Sequence, residues 1–284
     1  MSIHMPSKSA LDSKKLYIFD LDGTVYLGKN VFPFAIRFID HLRASGRRIL
    51  FFTNNASRSK DLYVEHLTRM GFSPTRDEIM SSGDVMEAYL KANYPGKSVY
   101  VLGTRSLRDQ FAAGGIRVVD ESAPSADIVV SSYDTELTFE KLCQACLLIR
   151  GGATWLCTHP DVNCPSERGS LPDSGSLAAL ITTSTGATPI MLGKPHGEVL
   201  DMIELTTGLS RTDMCIFGDR LYTDIALGVR HGMDSLLVLT GETTVADLEA
   251  ADPADLPTYV LPSLAEADEL LFGATEMGGD EHGV

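Results

Sequence analysis

Short apolar runs alternate with helical patterns along most of the chain. The runs are Leu16–Phe19, Ile49–Phe52, Val99–Leu102, Ile128–Val130, Trp155–Cys157, Ile190–Leu192, Met214–Phe217 and Leu236–Leu239. Each is short and rich in β-branched or aromatic residues, the pattern of a buried strand. Continuous rather than alternating apolar runs suit parallel strands covered on both faces. Between them, helical patterns lie near 33–45, 59–70, 84–93, 105–113, 138–150, 175–186, 197–207 and 223–231. The first of these has Pro33 in its first turn and Gly46 at its end, the usual asymmetry of helix punctuation. Strands alternating with helices predict an α/β fold with right-handed crossovers.

The pattern divides into three parts. Residues 15–82 and 188–273 carry strands that end in polar, reactive residues, whereas 83–187 form a strand–helix series of their own. The expectation is a discontinuous core interrupted by an inserted α/β domain. Residues 1–14 and the acidic, glycine-rich 274–284 read as flexible termini.

Composition narrows the partners. The 284 residues carry a net charge of −14 with 44% hydrophobic residues. An acidic balance argues against nucleic acid, which needs clustered Lys and Arg. It leaves room for a small anionic substrate, because a cation and one lysine reverse the charge locally. No apolar run approaches the roughly 20 residues that span a bilayer, and no signal-peptide core follows Lys14 and Lys15. The chain therefore reads as cytoplasmic, without a membrane partner. Five cysteines, an odd count, argue against a disulfide framework. Cys143 and Cys146 fall in an amphipathic helix, where buried thiols are ordinary.

The chemistry sits at the ends of the apolar runs. In Leu16-Tyr17-Ile18-Phe19-Asp20-Leu21-Asp22-Gly23-Thr24, two carboxylates emerge together at the carboxyl end of a strand. Open parallel sheets bind their ligands at that edge. Two adjacent carboxylates repel, and a hard divalent cation would hold them; a surface turn is the competing explanation. Ile49–Phe52 runs into Thr53-Asn54-Asn55, whose hydroxyl and following backbone N–H groups suit phosphate oxygens. Gly193-Lys194-Pro195 follows another apolar run, and Lys194 is a candidate charge clamp. Met214–Phe217 runs into Gly218-Asp219, with Asp224 five positions beyond. Asp219 is placed to bind a cation. Asp224 is a second candidate ligand, an orienting partner for Lys194 or a water, or a helix N-terminal carboxylate favoured by the dipole.

Together these motifs resemble the haloacid dehalogenase (HAD) superfamily. Phe52-Thr53-Asn54-Asn55, Glu136–Leu142, Gly193-Lys194-Pro195, Gly218–Ile225 and Val238-Leu239-Thr240-Gly241 are similar to the NagD/4-nitrophenylphosphatase branch. The likeness spans roughly Lys15 to Leu271. It implies a Rossmann-like, three-layer parallel-sheet core with a large inserted α/β cap of type C2. It also implies Mg²⁺ held by Asp20, the Asp22 backbone carbonyl and Asp219. Asp20 would be the nucleophile that becomes an aspartyl-phosphate, and Asp22 the general acid and base. Thr53, Asn54, Asn55 and Lys194 would bind the phosphate of a small phosphorylated metabolite. Caps of this branch can mediate homodimers.

Two cap stretches depart from the family pattern. Thr158-His159-Pro160-Asp161 stands where Thr-Asn-Pro-Asp is common, and Pro172-Asp173-Ser174-Gly175 where Pro-Gly-x-Gly is common. His159 and Asp161 are therefore candidate specificity residues. A phosphomutase and a non-catalytic phosphate-ligand sensor remain the alternatives to phosphate-monoester hydrolysis. Carbon–halogen and carbon–phosphorus cleavage do not require an acid two residues after the nucleophile.

Overall fold

The computed structural model describes residues 4–164 and 169–273. Two parallel sheets organise it. The first has six strands in the order Tyr259–Leu261, Asp234–Val238, Met214–Gly218, Leu16–Phe19, Arg48–Thr53 and Ile79–Ser81. The second has five, in the order Ile190–Met191, Thr154–Cys157, Ile128–Ser131, Ser98–Leu102 and Arg117–Val118.

Burial explains the apolar runs. Leu16, Tyr17, Ile18 and Phe19 are all at most 1% exposed, and they alternate between two cores. Tyr17 and Phe19 pack with Phe38, Phe51 and Phe217 on one face. Leu16 and Ile18 pack with Leu50, Phe52 and Ile203 on the other. Helices Pro33–Ala44 and Leu264–Phe272 cover the first face; Glu198–Thr207 lies on the second. This is the three-layer α/β arrangement that the runs predict. The second sheet repeats it, with Tyr100 and Val129 on one face and Val101 and Val130 on the other. Helix Ser82–Asn93 joins the two halves: Val85 enters a core of the first sheet, Met86 and Leu90 a core of the second.

Three expectations change. The Ile190–Leu192 run is not a buried strand of the first sheet. Its Ile190–Met191 part pairs with Leu156 and Cys157 at the edge of the second sheet, and Ile190 is 43% exposed. Sheet membership therefore changes after residue 191 rather than at 188. The leader is not wholly flexible. Lys8–Asp12 forms a short helix whose Leu11 is fully buried, and Tyr17 OH donates to Leu11 O at 2.8 Å. Lys14 Nζ reaches Asp234 Oδ2 at 2.8 Å and Thr212 O at 2.9 Å. Residues 274–284 lie outside the described part. Finally, the helix expected at 223–231 begins as a wide π-type turn over Leu221–Ile225 before Ala226–His231. Such turns often mark functional positions.

Among the described residues, no helix is long and apolar enough to cross a membrane.

Leu11 tests the docking of the N-terminal segment. Truncation to Ala is expected to cost about 2–5 kcal/mol, the range for a buried leucine, read as a lower urea midpoint with an unchanged slope. A neutral effect would mean the segment does not pack in solution.

Candidate active site

Parallel pairing puts the carboxyl ends of neighbouring strands on one edge. Leu16–Phe19 lies between Arg48–Thr53 and Met214–Gly218, so Asp20, Thr53 and Asp219 emerge side by side. Asp20 N–H continues the ladder to Phe217 O at 2.9 Å.

Lys194 arrives from the other half of the molecule, just beyond the edge strand of the second sheet. Gly193 makes that approach with φ +72°, and a Cβ there would lie 2.6 Å from Thr158 O. Lys194 is 2% exposed. Its ammonium donates to Asp20 Oδ1 at 2.5 Å and Asp224 Oδ1 at 2.6 Å. Burial works against the cation, but the charges of the two carboxylates outweigh it, and the lysine pKa rises. Of the roles open to Asp224, the geometry shows one directly: it holds Lys194. Its other oxygen accepts the Thr223 hydroxyl at 3.3 Å.

Asn54 fixes the lysine backbone. Its Oδ1 accepts Lys194 N–H at 2.8 Å, and its Nδ2 donates to Lys194 O and Asp161 Oδ1, both at 3.0 Å. The Asn55 side chain accepts Ser57 N–H at 2.9 Å, while Asn55 N–H donates to Thr53 Oγ1 at 3.1 Å. The Asn54 amide, expected to meet phosphate, is thus committed to shaping the turn, whereas Asn55 commits its oxygen there and still lines the inner cavity. Asp22 Oδ1 accepts Gly28 N–H at 3.3 Å. Burial raises the Asp22 pKa, with that bond acting against it.

Asp20, Asp219 and Asp224 each offer a carboxylate oxygen within 4.8 Å of the others; the Asp22 carboxylate is outside this group. Asp219 Oδ2 accepts Glu242 N–H at 2.7 Å, but its buried Oδ1 has no hydrogen-bond partner among the described residues. Gly23, at φ +84°, leaves the carboxylate its place: a Cβ there would sit 2.3 Å from Asp219 Oδ2. Burial, then the charges of Asp20 and Asp224, raise the Asp219 pKa. Burial also raises that of Asp20, although Lys194 pulls it down. Oxygen-only donors, an orphaned oxygen and an excess of buried negative charge fit a hard divalent cation. His159, Asp161 and Asp173 form a second group of comparable spacing. There His159 Nε2, Asp161 Oδ1 and Asp173 Oδ1 already have protein partners and one donor is a ring nitrogen, so the same fit to a hard cation is lacking.

The expected cap residues separate. Asp161 reaches the site, bonded to Asn54 and lying 3.4 Å from Arg220 Nη1. His159 does not: it is fully buried, with Nε2 2.9 Å from Asp173 Oδ1. It lines none of the cavities that meet at Asp22. The innermost, about 40 Å³, is lined by Asp20, Asp22, Asp161 and Asp173 and by the cations Lys194 and Arg220, among others. Two larger clefts, of about 820 and 510 Å³, also touch Asp22. One passes Pro160, His196 and Tyr222; the other passes Tyr26, Arg58 and Tyr133. Sequence reasoning quoted Arg220 and Asp173 but gave neither a role. Both are polar residues inside motifs, and only their burial of 8% and 4% exposure marks them out.

A haloacid dehalogenase-like hydrolase family model matches residues 17–117, and a HAD-hydrolase-like model matches 191–267. The chain is also 35% identical over 253 residues to an acid sugar phosphatase of Staphylococcus aureus, covering 89% of this chain and 96% of that one. The chain belongs to the haloacid dehalogenase-like hydrolases. This HAD hydrolase superposes on the 4-nitrophenylphosphatase of Thermotoga maritima with a TM-score of 0.87 and 40% identity, over 92% of this chain and 99% of that one. The glycerol phosphate phosphatase of Mycobacterium tuberculosis, crystallised with magnesium, gives a TM-score of 0.83 at 35% identity, over 92% and 78%. The same enzyme has been crystallised with calcium. The HAD hydrolase thus stands among phosphatases, one of which has been crystallised with magnesium and with calcium.

The acidic cluster predicts a pH slope for the metal-free protein. A carboxyl whose pKa is raised by folding binds more protons in the folded state, so stability falls as pH rises above the ordinary carboxylate range of about 4. Thermal melts without metal are expected to show this slope toward neutral pH. Asp219→Asn and saturating Mg²⁺ are each expected to flatten it. A slope untouched by either would reject the cluster as the cation site.

Proposed function

We propose that this HAD hydrolase removes phosphate from small phosphate monoesters in a magnesium-dependent reaction that passes through an aspartyl-phosphate on Asp20. The observation that carries the reading is the environment of Asp20. Lys194 holds its Oδ1, the orphaned oxygen of Asp219 lies in the same acidic group, and Asp22 stands where the cavities meet. The relatives described above, which act on sugar, glycerol and 4-nitrophenyl phosphates by name, support the same class.

Asp20 Oδ2 makes no hydrogen bond among the described residues. It attacks phosphorus, and the ester P–O bond breaks. Asp22 gives its proton to the departing oxygen, which suits a carboxyl whose pKa burial has raised. The same Asp22, now ionised, takes a proton from the water that attacks the phosphoenzyme, and Asp20 is released with inorganic phosphate. Lys194 cancels part of the charge on the nucleophile and the phosphoryl oxygens. Asp224 and Asn54 keep that ammonium in position. Asp20 and Asp219, with the Asp22 carbonyl, would hold magnesium, whose chemistry there is to neutralise charge on the transferring group.

Phosphate release from a panel of monoesters, with and without Mg²⁺, checks the class. Free phosphate rather than an isomeric ester is the expected product. Asp20→Asn is expected to abolish turnover with the fold retained. Asp22→Asn is expected to lose roughly 10²–10⁴-fold in kcat, the usual contribution of acid–base catalysis. Folded wild-type protein that releases no phosphate from any ester would reject the reading.

A further inference from the structure

The two cap positions that depart from the family pattern, His159 and Asp173, touch each other beside the reacting groups. His159 Nε2 lies 2.9 Å from Asp173 Oδ1, and both residues are buried. Asp173 bounds the same inner cavity as Asp20, Asp22 and Lys194.

Resting on the phosphatase reading, we propose that Asp173, positioned by His159, is a specificity-determining residue for the leaving group. It selects phosphate esters of neutral, hydroxyl-bearing alcohols over esters whose leaving group carries a second anion.

The hydrogen bonds behind Asp173 fix its character. Thr158 donates its hydroxyl proton to Ser132 Oγ at 3.0 Å, and Ser82 donates its own to Asn54 O. Both hydroxyl oxygens near His159 Nδ1 are therefore acceptors toward it, at 2.9 Å for Thr158 and 3.5 Å for Ser82. That arrangement suits a proton on Nδ1. Nε2 faces a carboxylate, which only accepts, so a proton suits it too. This geometry suits an imidazolium at His159, with Nδ1 turned to the hydroxyls and Nε2 to Asp173. The histidine pKa agrees. Burial opposes the cation, and the bond and charge of Asp173, with the charge of Asp161, outweigh it and raise the pKa.

Asp173 also caps the helix Ser174–Thr185, taking Ser174 N–H on Oδ1 at 2.6 Å. A cap alone needs no buried imidazolium behind it. The same oxygen serves both the helix and the histidine. Oδ2 makes no hydrogen bond among the described residues and has only acceptor capacity to offer the cavity. An alcohol O–H satisfies it. A carboxylate or second phosphate has nothing to donate and repels it.

The test compares kcat/KM for glycerol 2-phosphate, 2-phosphoglycolate and 4-nitrophenyl phosphate. The wild type is expected to prefer the glycerol ester over phosphoglycolate by about tenfold or more, the discrimination that one charged hydrogen bond supplies. Asp173→Asn keeps a capping oxygen and adds a donor. It is expected to reduce that ratio by about tenfold, mainly through KM. His159→Gln, which removes the cation but keeps a donor, is expected to move the ratio in the same direction by less. Thermal melts establish that each variant is folded. If Asp173→Asn changes all three esters by one common factor, Asp173 is a helix cap only and the proposal falls while the phosphatase reading stands. If the folded wild type hydrolyses none of the esters, the phosphatase reading falls and takes this proposal with it.

Discussion

Lys194 is the cation bonded directly to the nucleophile at the reacting edge, and its charge cannot spread into solvent. It bonds Asp20 and Asp224 together. A buried ammonium survives only with partners of excellent geometry, and here each partner is itself fixed. Asp20 is pinned by the ladder to Phe217, Asp224 by a wide turn, and the lysine backbone by both ends of the Asn54 amide. The balance is deliberately incomplete in physical terms. One ammonium faces Asp20, Asp219 and Asp224, and burial first, then the neighbouring carboxylate charge, raises the pKa of Asp20 and Asp219. That residual charge is what a divalent cation and a phosphoryl group would share.

The rest of the fold serves that arrangement. Stacked phenylalanines under the edge, Phe19 against Phe217 at 5.0 Å between centroids, leave the first sheet little freedom to deform. Close packing also explains the glycines around Asp219. They are not there for flexibility; a side chain at Gly23 or Gly241 would occupy the carboxylate's own space.

Much of this was legible in the sequence because burial on both faces writes a simple signal. Strands such as Met214–Gly218 carry no polar residue until their functional end, so both strand and site could be read together. The signal fails where it is short or shared. Ile79–Ser81 and Tyr259–Leu261 are three-residue edge strands, too brief to show a period. Ile190–Leu192 reads as a strand, correctly, but an apolar run does not say which sheet it joins. Asn54 illustrates a different limit. An amide beside a phosphate loop looks like a ligand, and only the distances show it clasping a backbone. His159 and Asp173 are fourteen residues apart, on different elements, so their pairing leaves no trace in local spacing.

Lys194 also stands at the place where the chain returns from the second sheet to the first. Asp161, carried by the second half, bonds Asn54 and faces Arg220 of the first. Parting the two halves would therefore strip Asp161 from Arg220 and Asn54, so the seam is fastened by polar contacts at the very rim of the cavity, as a clasp closes a lid.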